Sequence, residues 1–182
     1  MGVKNKKPGF TLIEMMIVIA IIGMILPVLF NIVFTVLRQQ VRIQALQEIK
    51  RQGDSIMNSF ETTLRNRANG IYTDQVFSMQ MCSTGNSSYS GGGGTNFYIK
   101  DKDSLWLRFY KNTADPNDIY IASDSAKGLI RLNNPNVQVT LFSISCKRTA
   151  TYSPAIISIK FTLTHKEGSR MTFQTRIKLR NY

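Results

Sequence analysis

Reactive side chains in this chain are few and scattered. There is one histidine, His165, in a turn-forming stretch, and there are two cysteines, Cys82 and Cys146. No Gly-x-Ser-x-Gly elbow and no paired carboxylates with a base nearby mark a catalytic cleft. His165 and the two cysteines lack the spacing of a zinc site. Asp101 with Asp103, and Asp115 with Asp118, fall in turn-rich segments and read as turns rather than calcium ligands. The expectation is a chain without catalysis, cofactor or metal. One acid is unlike the others. Glu14 stands at the front edge of an apolar run, residues 15–37, behind the basic stretch Lys6-Lys7-Pro8-Gly9-Phe10-Thr11-Leu12-Ile13. An unpaired carboxylate inside a bilayer costs about 2.5–3.5 kcal/mol, so an acid retained there calls for a positive partner.

Residues 15–37 hold Asn31 and Thr35 as their polar side chains, with Gly23 and Pro27 inside. About 23 residues at ~1.5 Å each reach about 34 Å, enough for a hydrocarbon core of about 30 Å. The run is longer than the apolar part of an ordinary secretory signal, and Thr35-Val36-Leu37-Arg38 behind it is no small-residue cleavage site. Lys4, Lys6 and Lys7 precede the span and favour a cytoplasmic N-terminus, although Arg38 and Arg42 follow it.

Gly9-Phe10-Thr11-Leu12-Ile13-Glu14 after a short basic leader and before an apolar helix resembles the class III signal of type IV prepilins and of type II secretion pseudopilins. That resemblance implies cleavage after Gly9, N-methylation of Phe10 by the prepilin peptidase/methyltransferase, and filament assembly through Glu14. It implies as partners other pilin or pseudopilin subunits, the membrane, an assembly platform and a motor. It also implies a single pass through the cytoplasmic membrane with the head outside the cytoplasm, then a place in a pilus or pseudopilus. Cleavage frees an amine on Phe10. Opposite charges about 4 Å apart are worth about 4 kcal/mol at an effective dielectric near 20, so that amine on one subunit offsets the cost of Glu14 on the next. In the family, a proline in this part of the helix accompanies local melting within the filament, though Pro27 lies earlier than the usual place.

Beyond residue 37 the pattern stays helical and turns amphipathic. Ile43, Leu46, Ile49, Ile56, Phe60 and Leu64 form one stripe, with Gly53 inside it where another element can approach closely. One helix is expected from about Thr11 to Arg67, roughly 85 Å long, stopped by Asn69-Gly70 in left-handed backbone. Residues 69–95 read as a variable loop, most clearly Gly85 to Thr95. Gly91 to Gly94 lack the Lys-Ser/Thr of a phosphate-binding loop. From residue 96 the period shifts to two. Strands are expected at 97–100, 105–110, 119–122, 129–132, 137–145, 156–164 and 171–179, with turns at 115–118, 133–136 and 165–168.

The fold class is therefore α+β, a long N-terminal membrane-spanning helix packed on an antiparallel β head. The divisions are a leader at 1–9, a span and assembly helix at 10–37, an amphipathic half at 38–68, a glycine-rich loop at 69–95 and the head at 96–182. The resemblance is closest to a minor subunit, and its rivals are a competence pilin that contacts DNA and an unprocessed membrane-anchored receptor. The net charge of +12 suits anionic lipids, acidic subunits or DNA alike. Arg176, Lys178 and Arg180 alternate on one face of the last strand, which reads first as a solvated surface. Cys82 and Cys146 lie outside the cytoplasm in this orientation, where they can pair or stay free.

Overall fold

The computed structural model describes residues 9–82, 85–90 (backbone), 97–101, 103–116, 118–150 and 152–179. The leader before Gly9, the glycine run Gly91 to Gly94 and Arg180 lie outside the described residues. The chain divides into two units, Met1–Ile43 and Gln44–Tyr182.

Helix α1 runs without a break from Leu12 to Asn66. Pro27 has no N–H to give to the carbonyl four residues back, but that residue is Gly23, and the helix continues through the pair. In this single chain Pro27 melts no turn. Inside the apolar run, the Thr35 hydroxyl donates to the Asn31 carbonyl at 2.8 Å, so it needs no outside partner.

In the second unit, the helix buries Ala45, Ile49, Gly53, Ile56, Phe60 and Leu64, successive steps of three and four along one face. The stripe begins later than its sequence pattern: Ile43 is 52% exposed, Leu46 is half-buried, and Ala45 takes the first buried position. The small alanine lies one helical turn before Ile49, on the line that the deeper positions follow.

Nine strands follow among the described residues: β1 (Ala68–Tyr72), β2 (Gly85–Ser90), β3 (Tyr98–Asp101), β4 (Trp106–Asn112), β5 (Tyr120–Ser125), β6 (Gly128–Arg131), β7 (Val137–Arg148), β8 (Ile156–His165) and β9 (Arg170–Lys178). They form two antiparallel sheets, ordered β1-β3-β4-β5-β6 and β2-β7-β8-β9. The arrangement is α+β and pilin-like, a long apolar helix followed by antiparallel sheets. Its core lies between the amphipathic half of α1 and both sheets. Phe60, wholly buried, meets Phe109 of the five-stranded sheet edge-on at 4.3 Å, and Phe142 and Phe161 of the four-stranded sheet at 6.1 and 6.2 Å. Ile157, Ile159, Phe161 and Leu163 are buried as their alternation foretold.

The segment 69–95 departs from the loop reading. Helix α1 ends at Asn66 and the chain enters β1 at Ala68, with an irregularity between Ala68 and Gly70. Gly70 has no left-handed backbone. A Cβ there would press on the Tyr72 ring at 2.9 Å, so close packing rather than a helix stop accounts for this glycine. The sequence Gly85-Asn86-Ser87-Ser88-Tyr89-Ser90 has no apolar alternation, yet it pairs along β7 from Arg148 to Ser143. Backbone hydrogen bonds to an existing sheet edge need no apolar side chains. That pairing also accompanies β7 running on to Arg148, past the expected end. Cys82 and Cys146 are joined as a disulfide with Cα atoms 6.0 Å apart, tying the segment after β1 to β7.

The three expected reversals each close with a backbone hydrogen bond, Asp118 to Asp115, Val137 to Asn134 and Gly168 to His165. Asn133, 3% exposed, does more than turn the chain. Its Oδ1 accepts from the Ile121 N–H at 2.8 Å and its Nδ2 donates to the Val137 carbonyl at 2.6 Å. Asn134 then meets the helix. Its side-chain amide donates to Glu48 at 2.5 Å, its backbone N–H donates to Gln52 at 3.1 Å, and His165 Nε2 lies 3.2 Å from the other Glu48 oxygen.

Gly53 explains itself through Phe173. A Cβ built on Gly53 would clash with the tip of the Phe173 ring at Cζ, and that ring stacks at 5.2 Å on Phe161. Gly53→Ala should therefore destabilise the folded second unit by about 1–3 kcal/mol despite alanine's better helix propensity. Denaturant unfolding in micelles reads this, and the cost should shrink when Phe173→Leu is added, a coupling that independent sites would lack. Glu48 makes a pH prediction. The hydrogen bond from Asn134, followed by those with His165, holds its carboxyl below the usual 4.5. Its contribution is present above the unfolded-state pKa and is lost as pH falls through the lower folded value. Glu48→Gln, which still accepts from Asn134, should flatten the fall in unfolding midpoint between about pH 5 and pH 3.

Candidate functional site

The N-terminal end of α1 is organised around Thr11. The Glu14 carboxylate oxygen Oε2 accepts from the Thr11 backbone N–H and from its hydroxyl, both at 2.9 Å, while the Glu14 N–H donates weakly to Thr11 Oγ1 at 3.4 Å. This is a reciprocal capping box with Thr11 as cap and Glu14 at the third helical position. The Thr-x-x-Glu spacing was legible in the sequence and points to this role, although attention to the charge of Glu14 alone passes over Thr11. The two bonds to the carboxylate use one oxygen and leave Oε1 to accept from another donor.

The Gly9–Phe10 peptide bond lies just outside the helix. Gly9 and Phe10 are in irregular backbone, Phe10 is 80% exposed, and a Cβ built on Gly9 meets nothing within 4 Å. Among the described residues neither a helix nor a strand includes this bond. Gly9, Phe10, Thr11 and Glu14 are thus held within a few residues. If the bond is cut, the new amine lies next to the positive end of the helix dipole, where Glu14 supplies the compensating negative charge.

From Leu12 to Ile43 the large apolar side chains are exposed all round the helix, among them Leu12, Met16, Met24, Phe34 and Ile43. Among the described residues this is the one helix long and apolar enough to cross a membrane. A surface of this kind leaves water only in a lipid bilayer or among other apolar helices.

The head carries a second feature. None of the strands β2, β7, β8 and β9 contains an Asp or Glu. Lys147, Lys160, Arg170, Arg176 and Lys178 are exposed on them, and register places Ser145, Ser158 and Arg176 in one cross-strand row and Lys147, Ile156 and Lys178 in the next. Arg176 and Lys178 thus lie on the outward face, as their alternation suggested, and the partner strands bring further cations that sequence spacing could not assign. The acidic turns are otherwise engaged. Asp118 binds Arg131 through both oxygens at 2.6 Å, which lowers its pKa, and Asp101 pairs with Arg67 at 3.4 Å.

Residues 4–26 match the family model described as the prokaryotic N-terminal methylation motif. No curated protein and no solved structure matches the chain. The chain carries the class III signal peptide of type IV pilins and pseudopilins, structural proteins that other pilin subunits and a prepilin peptidase recognise.

Proposed function

We propose that the protein is a minor pilin or pseudopilin, cut by prepilin peptidase after Gly9, methylated on Phe10, and built through its N-terminal helix into a type IV pilus-like or type II secretion filament. The observation that carries this reading is the match at residues 4–26 together with the exposed Gly9–Phe10 bond and the Thr11–Glu14 cap directly behind it. The protein inserts once in the cytoplasmic membrane with its disulfide-bonded head outside the cytoplasm, acts as no enzyme, and relies on a separate platform and motor for extension. In the filament, the Phe10 amine of one subunit pairs with the free Glu14 oxygen of its neighbour. Glu14 is then shared between its own cap and the adjoining subunit, which sets the axial register of the two helices.

Mass spectrometry of the N-terminal peptide from native-host membranes should find methylated Phe10 as the first residue. Recovery of an intact Met1 or Gly2 start, in cells with active prepilin peptidase, would instead identify an unprocessed anchored receptor. Glu14→Ala should leave membrane insertion intact and cut incorporation into sheared filaments at least about tenfold, the loss of a pair worth several kcal/mol.

A second reading is supported by the acid-free outer face of β7, β8 and β9: the head touches a polyanion such as DNA, as a competence pilin would. Binding to a duplex oligonucleotide should then weaken steeply with salt, and Lys160→Gln with Arg176→Gln should lower the slope of log K against log salt by about two. Binding that ignores salt, or no binding, removes this reading.

A further inference from the structure

Strand β9 has a neighbouring strand on one side only. It stands last in the sheet β2-β7-β8-β9, pairs with β8 from Arg170 to Lys178 without a register shift, and is the longest of the strands at a sheet edge. One bond beyond each end of that ladder, the Leu179 N–H donates to the Ala155 carbonyl at 2.9 Å and the His165 N–H to the Ser169 carbonyl at 2.8 Å. Bonded and non-bonded positions alternate in an antiparallel pair, so the odd-numbered residues of β9 turn their N–H and carbonyl groups toward β8. The even-numbered ones, Arg170, Thr172, Gln174, Arg176 and Lys178, turn theirs the other way. Among the described residues no strand and no backbone hydrogen bond closes that side.

The side chains beside this open row divide by chemistry. The even-numbered residues are exposed on the face away from the helix, and Arg170, Arg176 and Lys178 among them are cations. No strand of the sheet contains an Asp or Glu, and none of these three cations has an ion pair among the described residues. On the helix side, Met171 and Phe173 are half-buried, as is Met57 of α1, all three packed against the core without being closed over. Glu61 of α1 accepts from the Thr175 hydroxyl at 3.1 Å, so an acid arriving on that side would meet a like charge.

We infer that β9 is a docking edge for an extended segment of another protein, one in which acids alternate with apolar residues and which joins the sheet as a fifth strand. The backbone of that segment completes the open row of hydrogen bonds. Its acids lie beside Arg170, Arg176 and Lys178, and its apolar side chains cover Met171, Phe173 and Met57. Duplex DNA can neutralise the cations but leaves the edge backbone and the half-buried apolar side chains as they are. A second copy of β9 would set cations against cations, which is destabilising, and none of the nine described strands alternates acids with apolar residues. The charges that hold copies of the chain apart are thus the ones that select an acidic strand.

The full chain in zwitterionic micelles is titrated with a fluorescein-labelled decapeptide of alternating Glu and Val, and binding is read by anisotropy. The controls are a peptide of the same composition in Glu-Glu-Val-Val order, two copies of the probe N-methylated on either its glutamates or its valines, and duplex DNA. The alternating probe should bind saturably. The reordered peptide and one of the two N-methylated copies, the one whose blocked amides face the edge, should bind at least about tenfold more weakly. Amide hydrogen exchange of the free protein should be slow at the odd-numbered residues of β9 and fast at the even-numbered ones, which the probe should slow by about tenfold or more. Gln174→Pro removes an N–H that the β8 ladder does not use, and Arg176→Glu reverses a charge. Each should weaken the probe by about tenfold while the odd-numbered amides stay protected. No saturable binding, equal binding of the reordered peptide, or indifference to both N-methylations overturns the inference. So does binding of DNA alone, which assigns the face to a polyanion, and so does protection of the even-numbered amides that rises with protein concentration alone, which assigns the edge to a second copy. The head responds whether or not the N-terminus is processed, so the outcome is separate from that of the filament reading.

Discussion

The architecture of the head depends on giving one helix face two sheets to bury itself against. Phe60 is the point at which both do so, touching rings from the five-stranded and the four-stranded sheet. The stripe from Ile49 to Leu64 is buried in one core with residues of both sheets, and an amphipathic helix gains most of its stability from such packing rather than from propensity. Gly53 shows how tight the constraint is, since Phe173 occupies the space that any side chain would need. The polar edge of the same contact is closed by Glu48 and Gln52 on Asn134, so the register of helix against sheet is fixed at both its apolar centre and its rim.

With the inner faces committed to the helix, chemistry is left to the outer ones, and the two sheets use theirs in opposite ways. The four-stranded sheet concentrates positive charge without any carboxylate in its strands. The five-stranded sheet pairs Arg108 with Asp124 and Arg131 with Asp118 among half-buried rings, and places Lys100 opposite Trp106. The N-terminal unit follows another rule, because its apolar side chains find no cover within the described residues and its acid is tied to its own helix end.

Much of this could be read in the chain beforehand, for identifiable reasons. Helix α1 and strands β3 to β9 carry strong periodicity, and Ile157 to Leu163 alternate as cleanly as they bury. Strand β2 could not be read, because its stability comes from pairing with β7 and its own side chains carry no signal. Gly70 was misread as a helix stop because a glycine needed for close packing looks the same as one needed for left-handed backbone. The motif residues Gly9, Phe10 and Glu14 were legible because their order is local, and so in principle was the Thr11 cap. The Tyr98–Arg108–Asp124 row was not, since it depends on register between strands up to 26 residues apart, a quantity that no local pattern encodes.

The covalent bond between Cys82 and Cys146 also has a mechanical meaning. It joins positions 64 residues apart in sequence, enclosing everything from β2 to most of β7. A pull applied between α1 and the C-terminal strand would pass through the sulfur atoms and skip the enclosed segment. Roughly 200 Å of contour length, at about 3.3 Å per residue, is thereby withheld from extension. Under load, strands β2 to β6 would stay wound inside the bond while β1, β8 and β9, which lie outside it, took the strain.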